Sequence, residues 1–308
     1  SKNYNVFVLD DANNDYLNKK IINERPFPDI DILISGTEKR VSRDLINFSE
    51  ANKIPLYSPF STEINQNTSQ YFHTTIPNIT SQFSQLFDYI YPQIPEASIY
   101  IIQEENTDSS RTVLRNIESF INKTYNISPI IITNPQSTVN ELGEIIPFYN
   151  PTSTSIVFVA SNNISFVKNL LPKLYSAPFP TYILGMPTWN NSRGLENSTQ
   201  PNPDIYIPVF EVSKKSKTEK ELFLARFINE YQKEDNESVY LGYDLMTYVL
   251  TGLEKNLIWK NPTSSDLKIQ PYYYGFDFTP VIKNNSVQYY TNNKISIYKY
   301  ESGRFANI

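Results

Sequence analysis

The side chains able to do chemistry are few, and their spacing argues against most chemistry. The chain has 308 residues, with one histidine and no cysteine. His73 stands in Tyr71-Phe72-His73-Thr74-Thr75, an alternating run that reads as a strand, where a lone His is structural. A Ser-His-Asp triad could use only His73, and no nucleophile-elbow motif is present to meet it. Without Cys there are no disulfides, thiolate ligands or thiol nucleophiles. A transition-metal site would need carboxylates plus that single imidazole, so no metal is expected. Asp10-Asp11-Ala12-Asn13-Asn14-Asp15 superficially resembles a calcium loop. Tyr16 replaces its required Gly and Ile22 its bidentate Glu, so it reads as a strand-to-helix turn. Glu104-Glu105 follows a strand, and adjacent carboxylates in a loop point apart, so a solvated loop is expected rather than an acid/base pair. With 8 Gly, no GxGxxG and no P-loop, a phosphate cradle is not expected. These residues predict a protein that binds without catalysing and carries no cofactor.

The elements that must position any binding residues alternate. Val6 to Leu9, Ile30 to Ile34 and Ile54 to Tyr57 read as strands, separated by helical spacing over Tyr16–Ile22 and Val41–Ala51. The rhythm restarts with a helix over Phe83–Ile90. Strands at Ile99–Ile102, Ile130–Ile132, Ile156–Val159 and Tyr182–Leu184 follow, with helices over Val113–Ile121, Val139–Phe148 and Phe166–Tyr175 between them. Continuous apolar strands between amphipathic helices imply parallel sheets covered on both faces. From Glu219 the pattern is helical again, through Leu253. Val287–Tyr290 and Ile295–Tyr300 alternate around Thr291-Asn292-Asn293 and read as a hairpin, with Gly303 turning the chain afterwards.

The length suits two domains, and the hydrophobic fraction of 40% is that of a folded chain. A net charge of -5 argues against nucleic acid as a partner. No run approaches a membrane span. No signal peptide is recognisable, and Ser1 before a strand-like run reads as a mature or trimmed start.

Several segments, in order, carry a family resemblance. Asp31-Ile32-Leu33-Ile34-Ser35-Gly36, then a helix, then Lys53-Ile54-Pro55-Leu56-Tyr57-Ser58-Pro59-Phe60-Ser61-Thr62 resembles the core signature of type I periplasmic binding proteins. Phe72-His73-Thr74-Thr75-Ile76-Pro77 resembles the family's next strand, Leu184-Gly185-Met186-Pro187-Thr188-Trp189 a lobe-two strand end, and Tyr240-Leu241-Gly242-Tyr243-Asp244 a late lobe-one helix. The likeness is nearest to a Bacteroidetes-type branch in which such a module often follows peptidoglycan-binding LysM repeats. It implies an α/β fold of two Rossmann-like lobes with parallel sheets joined by three crossings. Lobe one is expected at 1–77 plus 211–272, and lobe two at 78–210 plus 273–308. The family's opening strand and helix have no counterpart before Tyr4–Asp10, so lobe one is expected to lack a central strand or to fill it with another segment.

The resemblance also implies an exported bacterial protein, periplasmic or attached to the outer membrane, whose two lobes close on a small polar ligand such as an amino acid or a peptidoglycan fragment. The alternative is a ligand-free scaffold of the envelope with a protein partner. By position, the family's carboxylate-holding loops map to Thr37, Ser61 and Thr62. Ligands in α/β sheets sit beyond the carboxyl ends of strands, which adds Asn106 and Trp189 from lobe two. Ser61 and Thr62 could equally cap a helix, and Trp189 could be a cleft wall or a core residue. The family's Tyr-Gly after the first lobe-two strand is replaced by Glu104-Glu105-Asn106-Thr107.

Overall fold

The computed structural model describes residues 4–8, 30–36, 41–61, 69–104, 108–133, 138–139, 145–146, 151–197, 200–211, 215–232 and 237–308. In chain order the elements begin with β1 (Leu33–Ile34), α1 (Arg43–Asn52), β2 (Leu56–Ser58), β3 (Phe72–Thr74), α2 (Ile79–Ile90) and β4 (Ser98–Gln103). Next come α3 (Asp108–Tyr125), β5 (Ile130–Thr133), β6 (Thr138–Val139), β7 (Ile145–Ile146), β8 (Ser155–Ala160), α4 (Ile164–Tyr175), β9 (Thr181–Leu184) and β10 (Ile205–Val209). The chain ends with α5 (Lys217–Tyr231), α6 (Glu237–Glu254), β11 (Phe278–Lys283), β12 (Ser286–Asn292), β13 (Ser296–Glu301) and β14 (Arg304–Asn307). Two compact units result. Unit 1 is residues 1–78 and 210–294; unit 2 is 79–209 and 295–308, so the chain passes between them three times.

Unit 2 holds a seven-stranded sheet ordered β14-β13-β10-β9-β8-β4-β5, parallel from β10 to β5 and antiparallel at β13 and β14. Successive strand residues point to opposite faces, and both faces are apolar. Ile99, Ile101, Ile156 and Phe158 pack with Phe83, Leu86 and Phe87 of α2 and Ile117 and Ile121 of α3. Tyr100, Ile102, Val157 and Val159 pack with Val167, Leu170, Leu171 and Leu174 of α4. This double burial is why those strands read as unbroken apolar runs.

Unit 1 holds a five-stranded sheet, β1-β2-β3-β12-β11, parallel except for the β12–β11 pair. Helix α6 covers one face, where Leu241, Leu245, Tyr248 and Val249 pack with Tyr57, Phe276 and Phe278. On the other face Ile46 of α1 packs with Val41, Leu56 and Phe72. Ser42 caps α1 by accepting from the Leu45 N–H. A capping box of Ser216 and Glu219 starts α5. No helix among the described residues is long and apolar enough to cross a membrane.

The two-sheet α/β architecture is the expected one, with four local corrections. The expected hairpin of Val287–Tyr290 with Ile295–Tyr300 does not form: β12 pairs with β3 and β11 in unit 1, β13 with β10 and β14 in unit 2. Thr291-Asn292-Asn293 is therefore the approach to a crossing, not a turn, and residues 273–294 belong to unit 1 rather than lobe two. The turn at Gly303 closes the real hairpin, β13–β14, with Ser302 and Gly303 both at positive φ. Within the expected Val139–Phe148 helix the chain instead pairs β6 with β7, β-branched residues placed around Gly143. Finally, Val6, Phe7 and Val8 form no strand and are 65%, 64% and 88% exposed. The expected helix over Tyr16–Ile22 and the Asp10–Asp15 turn lie outside the described residues.

Candidate functional site: the strand-end edges

The carboxyl ends of the parallel strands gather polar side chains in each unit. In unit 1, Ser58 ends β2, Thr74 ends β3, and Thr291 and Asn292 end β12, all buried. The Thr75 N–H donates to the Ser58 carbonyl at 3.1 Å, and its Oγ1 donates to the Pro59 carbonyl at 2.7 Å. Thr74 Oγ1 lies 3.2 Å from Thr291 Oγ1. Asn292 Nδ2 donates to the carbonyls of Thr75 at 2.9 Å and Gly275 at 3.0 Å. Its Oδ1 accepts from the N–H groups of Asp277 and Lys294. This fully used amide ties β3, β12 and the segment before β11 together. Just beyond β1, the Ser35 hydroxyl is buried with no partner among the described residues.

In unit 2 the edge is built around Glu104, immediately after β4. Its Oε1 accepts from Asn163 Nδ2 at 2.7 Å and its Oε2 from Ser161 Oγ at 2.7 Å. Asn163 also caps α4, its Oδ1 accepting from the N–H groups of Ser165 and Phe166. Gln103 is 2% exposed; its Nε2 donates to Thr133 Oγ1 at 2.7 Å and its Oε1 is unpartnered among the described residues. Thr188 Oγ1 donates to Asn162 Oδ1 at 2.8 Å.

Ser61 is 2% exposed, and its N–H donates to Ser58 Oγ at 3.3 Å, which places it at the unit 1 edge. Thr37, Thr62 and Asn106 lie outside the described residues. Trp189 is fully buried in the α4-side core, so its ring is a core residue and not an exposed wall. It sits in a 3-10 turn, Pro187–Asn191, and its Nε1 donates to the Ser161 carbonyl at 2.9 Å. Gly185 leaves room for it: a Cβ there would lie 2.2 Å from the ring. Trp189 thus supports the edge from behind. The hydrogen bonds that bring Glu104 to Ser161 and Asn163, and Thr188 to Asn162, were not foreseen, because the pairing of loops from β4, β8 and β9 depends on strand order, which one sequence does not display.

His73 stands inside the unit 1 sheet, 3% exposed, stacked between Tyr57 and Tyr290 with centroids at 4.6 and 4.9 Å. Its Nδ1 lies 3.0 Å from the Tyr71 carbonyl and its Nε2 2.9 Å from the Asn261 side chain. Burial pushes the imidazole down to about 4, against the upward pull of those contacts. Among the described residues no three His, Asp or Glu side chains converge as a metal site. A groove of about 1100 Å³ between α5 and α6, lined by Phe223, Phe227, Tyr243 and Tyr272, includes none of the strand-end residues.

No family model matches the chain, and no curated protein matches it. Solved structures do. A candidate branched-chain amino acid ABC transporter from Rhodospirillum rubrum has a TM-score of 0.62 at 11% identity, over 97% of this chain and 86% of that one. An ABC transporter substrate-binding protein from Desulfitobacterium hafniense, in complex with Leu, has 0.54 at 14%, over 97% and 87%. A branched-chain amino acid ABC transporter periplasmic ligand-binding protein from Burkholderia xenovorans has 0.53 at 12%, over 97% and 82%. The likeness is one of fold: two mostly parallel α/β sheets, as in the type I periplasmic binding proteins.

Proposed function

We propose that the chain is a non-catalytic solute-binding module of the bacterial cell envelope, taking a small polar solute at the strand-end edges of its units. The observation that carries this reading is the concentration of hydroxyl, amide and carboxylate groups at the carboxyl ends of both sheets, where α/β folds bind ligands. Thr37, Ser61 and Thr62 are the proposed contacts from unit 1, and Asn106, with Glu104 and Asn162, those from unit 2. Trp189 serves only as their support. Two features favour binding over catalysis: the one histidine is buried among rings rather than at an edge, and both Glu104 oxygens are engaged by neutral donors.

Amino acids are the first solute class to test, since one structure of this fold holds Leu, and peptidoglycan fragments the second. The proposed location is the periplasm, with attachment at the outer membrane beside LysM repeats as its finer form; fractionation of the source cells tests both. The binding test is thermal denaturation of the wild type and Thr62→Ala with amino acids, sugars and muropeptides at millimolar concentration. A solute at 1,000 times its Kd adds about 4 kcal/mol of stability, and Thr62→Ala should lose that gain while keeping the ligand-free midpoint. A panel in which no solute moves the midpoint would overturn the reading.

A further inference from the structure

We infer that unit 1 carries a second binding site, the groove between α5 and α6, and that its ligand is a neutral oligosaccharide. The groove shares no residue with the strand-end edges, and the inference does not rest on the solute proposed for them. One wall is a row on α5, Phe223, Phe227 and Tyr231, spaced four residues apart and so on one helix face. The row spans eight residues at 1.5 Å each, about 12 Å. The other wall is the outer face of α6, with Tyr243 and Met246. Phe223 packs with Tyr243 and Tyr272 at centroid distances of 4.8 and 4.5 Å. Phe227 packs with Tyr231 at 5.0 Å, and neither of these two rings meets a ring of α6 among the described residues.

Two features point to a guest in this groove. α5 buries none of its 15 residues, although a helix draws most of its stability from packing an apolar face. Gly242 of α6 lines the groove, and a Cβ there would meet nothing within 4 Å. Glycine weakens a helix, and no neighbour requires this one, which fits a floor that a guest approaches closely. The lining selects the chemistry of that guest. The groove is open to solvent, and Tyr231 and Tyr243 are 62% and 45% exposed, so a wholly apolar ligand would keep one side in water. Arg226 and Glu230 line it with opposite charges, which favours a neutral ligand over an ion. Their side chains and that of Asn229 take no hydrogen bond or ion pair among the described residues. A sugar meets both demands. Its C–H groups lie on the negative face of an aromatic ring, and its hydroxyls donate to and accept from amide, carboxylate and guanidinium groups.

The test is calorimetry of the whole chain with cellohexaose, maltohexaose and chitohexaose. At least one should bind with a Kd of about 1 mM or tighter. Tyr231→Ala should weaken that binding about 10-fold, the loss of one stacked ring. Gly242→Leu should abolish it by filling the floor. Neither change should lower the denaturation midpoint, since Tyr231 is exposed and the space beside Gly242 is open. Any small solute that stabilises the wild type should stabilise both variants equally, so this site and the strand-end site fail separately. Absence of binding by all three oligosaccharides, or binding that Tyr231→Ala and Gly242→Leu leave intact, overturns the proposal.

Discussion

The two units reach the same architecture by different energetics. Unit 2 buries strands of four to six residues such as β4, β8 and β9 between apolar helix faces. Unit 1 has β1, β2 and β3 of only two or three residues and puts polar groups inside. His73 lies among rings, the Tyr57 hydroxyl is buried without a partner among the described residues, and the Asp244 carboxylate is 2% exposed. Asp244 holds the consecutive N–H groups of Tyr272, Tyr273 and Tyr274, each at 2.8 Å. Burial pushes its carboxyl above the usual range, and those three bonds pull it back. Apolar burial is insensitive to pH and tolerant of polar mutation at its rim, whereas a buried polar network is sensitive to both. The interior whose stability should respond to pH is thus that of unit 1.

The largest expected effect falls on unit 2. Trp189→Ala removes a fully buried indole from the α4-side core and leaves the Ser161 carbonyl unpaired. It should destabilise unit 2 by about 3–5 kcal/mol, read by urea denaturation with hydrogen exchange to locate the loss. An effect under about 1 kcal/mol would show that the ring is not packed as described.

The second effect belongs to unit 1 alone. The unfolded chain protonates His73 near 6.5, the folded one only near 4. Between those values the unfolded state binds more protons, so stability is fully present above 6.5 and falls as the pH drops towards 4. The loss is about 3 kcal/mol. Stability of the wild type minus that of His73→Phe, measured from pH 7.5 to 4, should trace that fall. A difference flat with pH would mean the imidazole is not buried neutral. Asp244 works in the opposite direction: its raised carboxyl takes up a proton in the folded state first, which offsets part of the loss just above its unfolded value.

Asp244→Asn ranks third. It keeps one acceptor oxygen and leaves at least one of the Tyr272–Tyr274 amides facing an NH2 group. About 1–3 kcal/mol should be lost, with faster hydrogen exchange confined to residues 272–274. Uniform loss across both units would contradict the local latch.

What the sequence made legible follows the same division. In unit 2 the periodicity located β4, β8 and β9 and helices α2, α3 and α4, because a strand buried on both faces is an uninterrupted apolar run, and it located β5 by the same pattern although Ile130 and Ile131 of that edge strand are exposed. It passed over β10, whose Pro208 interrupts the run. In unit 1 the same reasoning made a strand of Val6 to Leu9, yet a strand needs a partner, and pattern alone does not supply one. It joined β12 to β13 because both alternate, although they belong to different sheets. Of the proposed contacts, the position of Ser61 just beyond β2 was legible in the sequence. The role of Trp189 as support, and that of Glu104 at its front, depends on β4, β8 and β9 lying side by side, which only the strand order reveals.

The smallest effect compares two glycines. Gly185 in unit 2 is required by contact, because any Cβ would meet the Trp189 ring. Gly242 lies inside α6 of unit 1, and a Cβ there meets nothing within 4 Å. Glycine inside a helix costs about 0.8–1.0 kcal/mol relative to alanine, and Gly242 shows no packing reason for that cost. Gly242→Ala should therefore stabilise the protein by about 0.5–1 kcal/mol, chiefly by restricting the unfolded chain. Gly185→Ala should destabilise it, since the ring must move within a filled core. Denaturation midpoints of the pair, at pH 7 where His73 is neutral in both states, give the two signs directly. Were Gly242→Ala also destabilising, the start of α6 would have to bend or pack where the geometry leaves open space, and the groove against α5 would be narrower than the unsubstituted chain indicates.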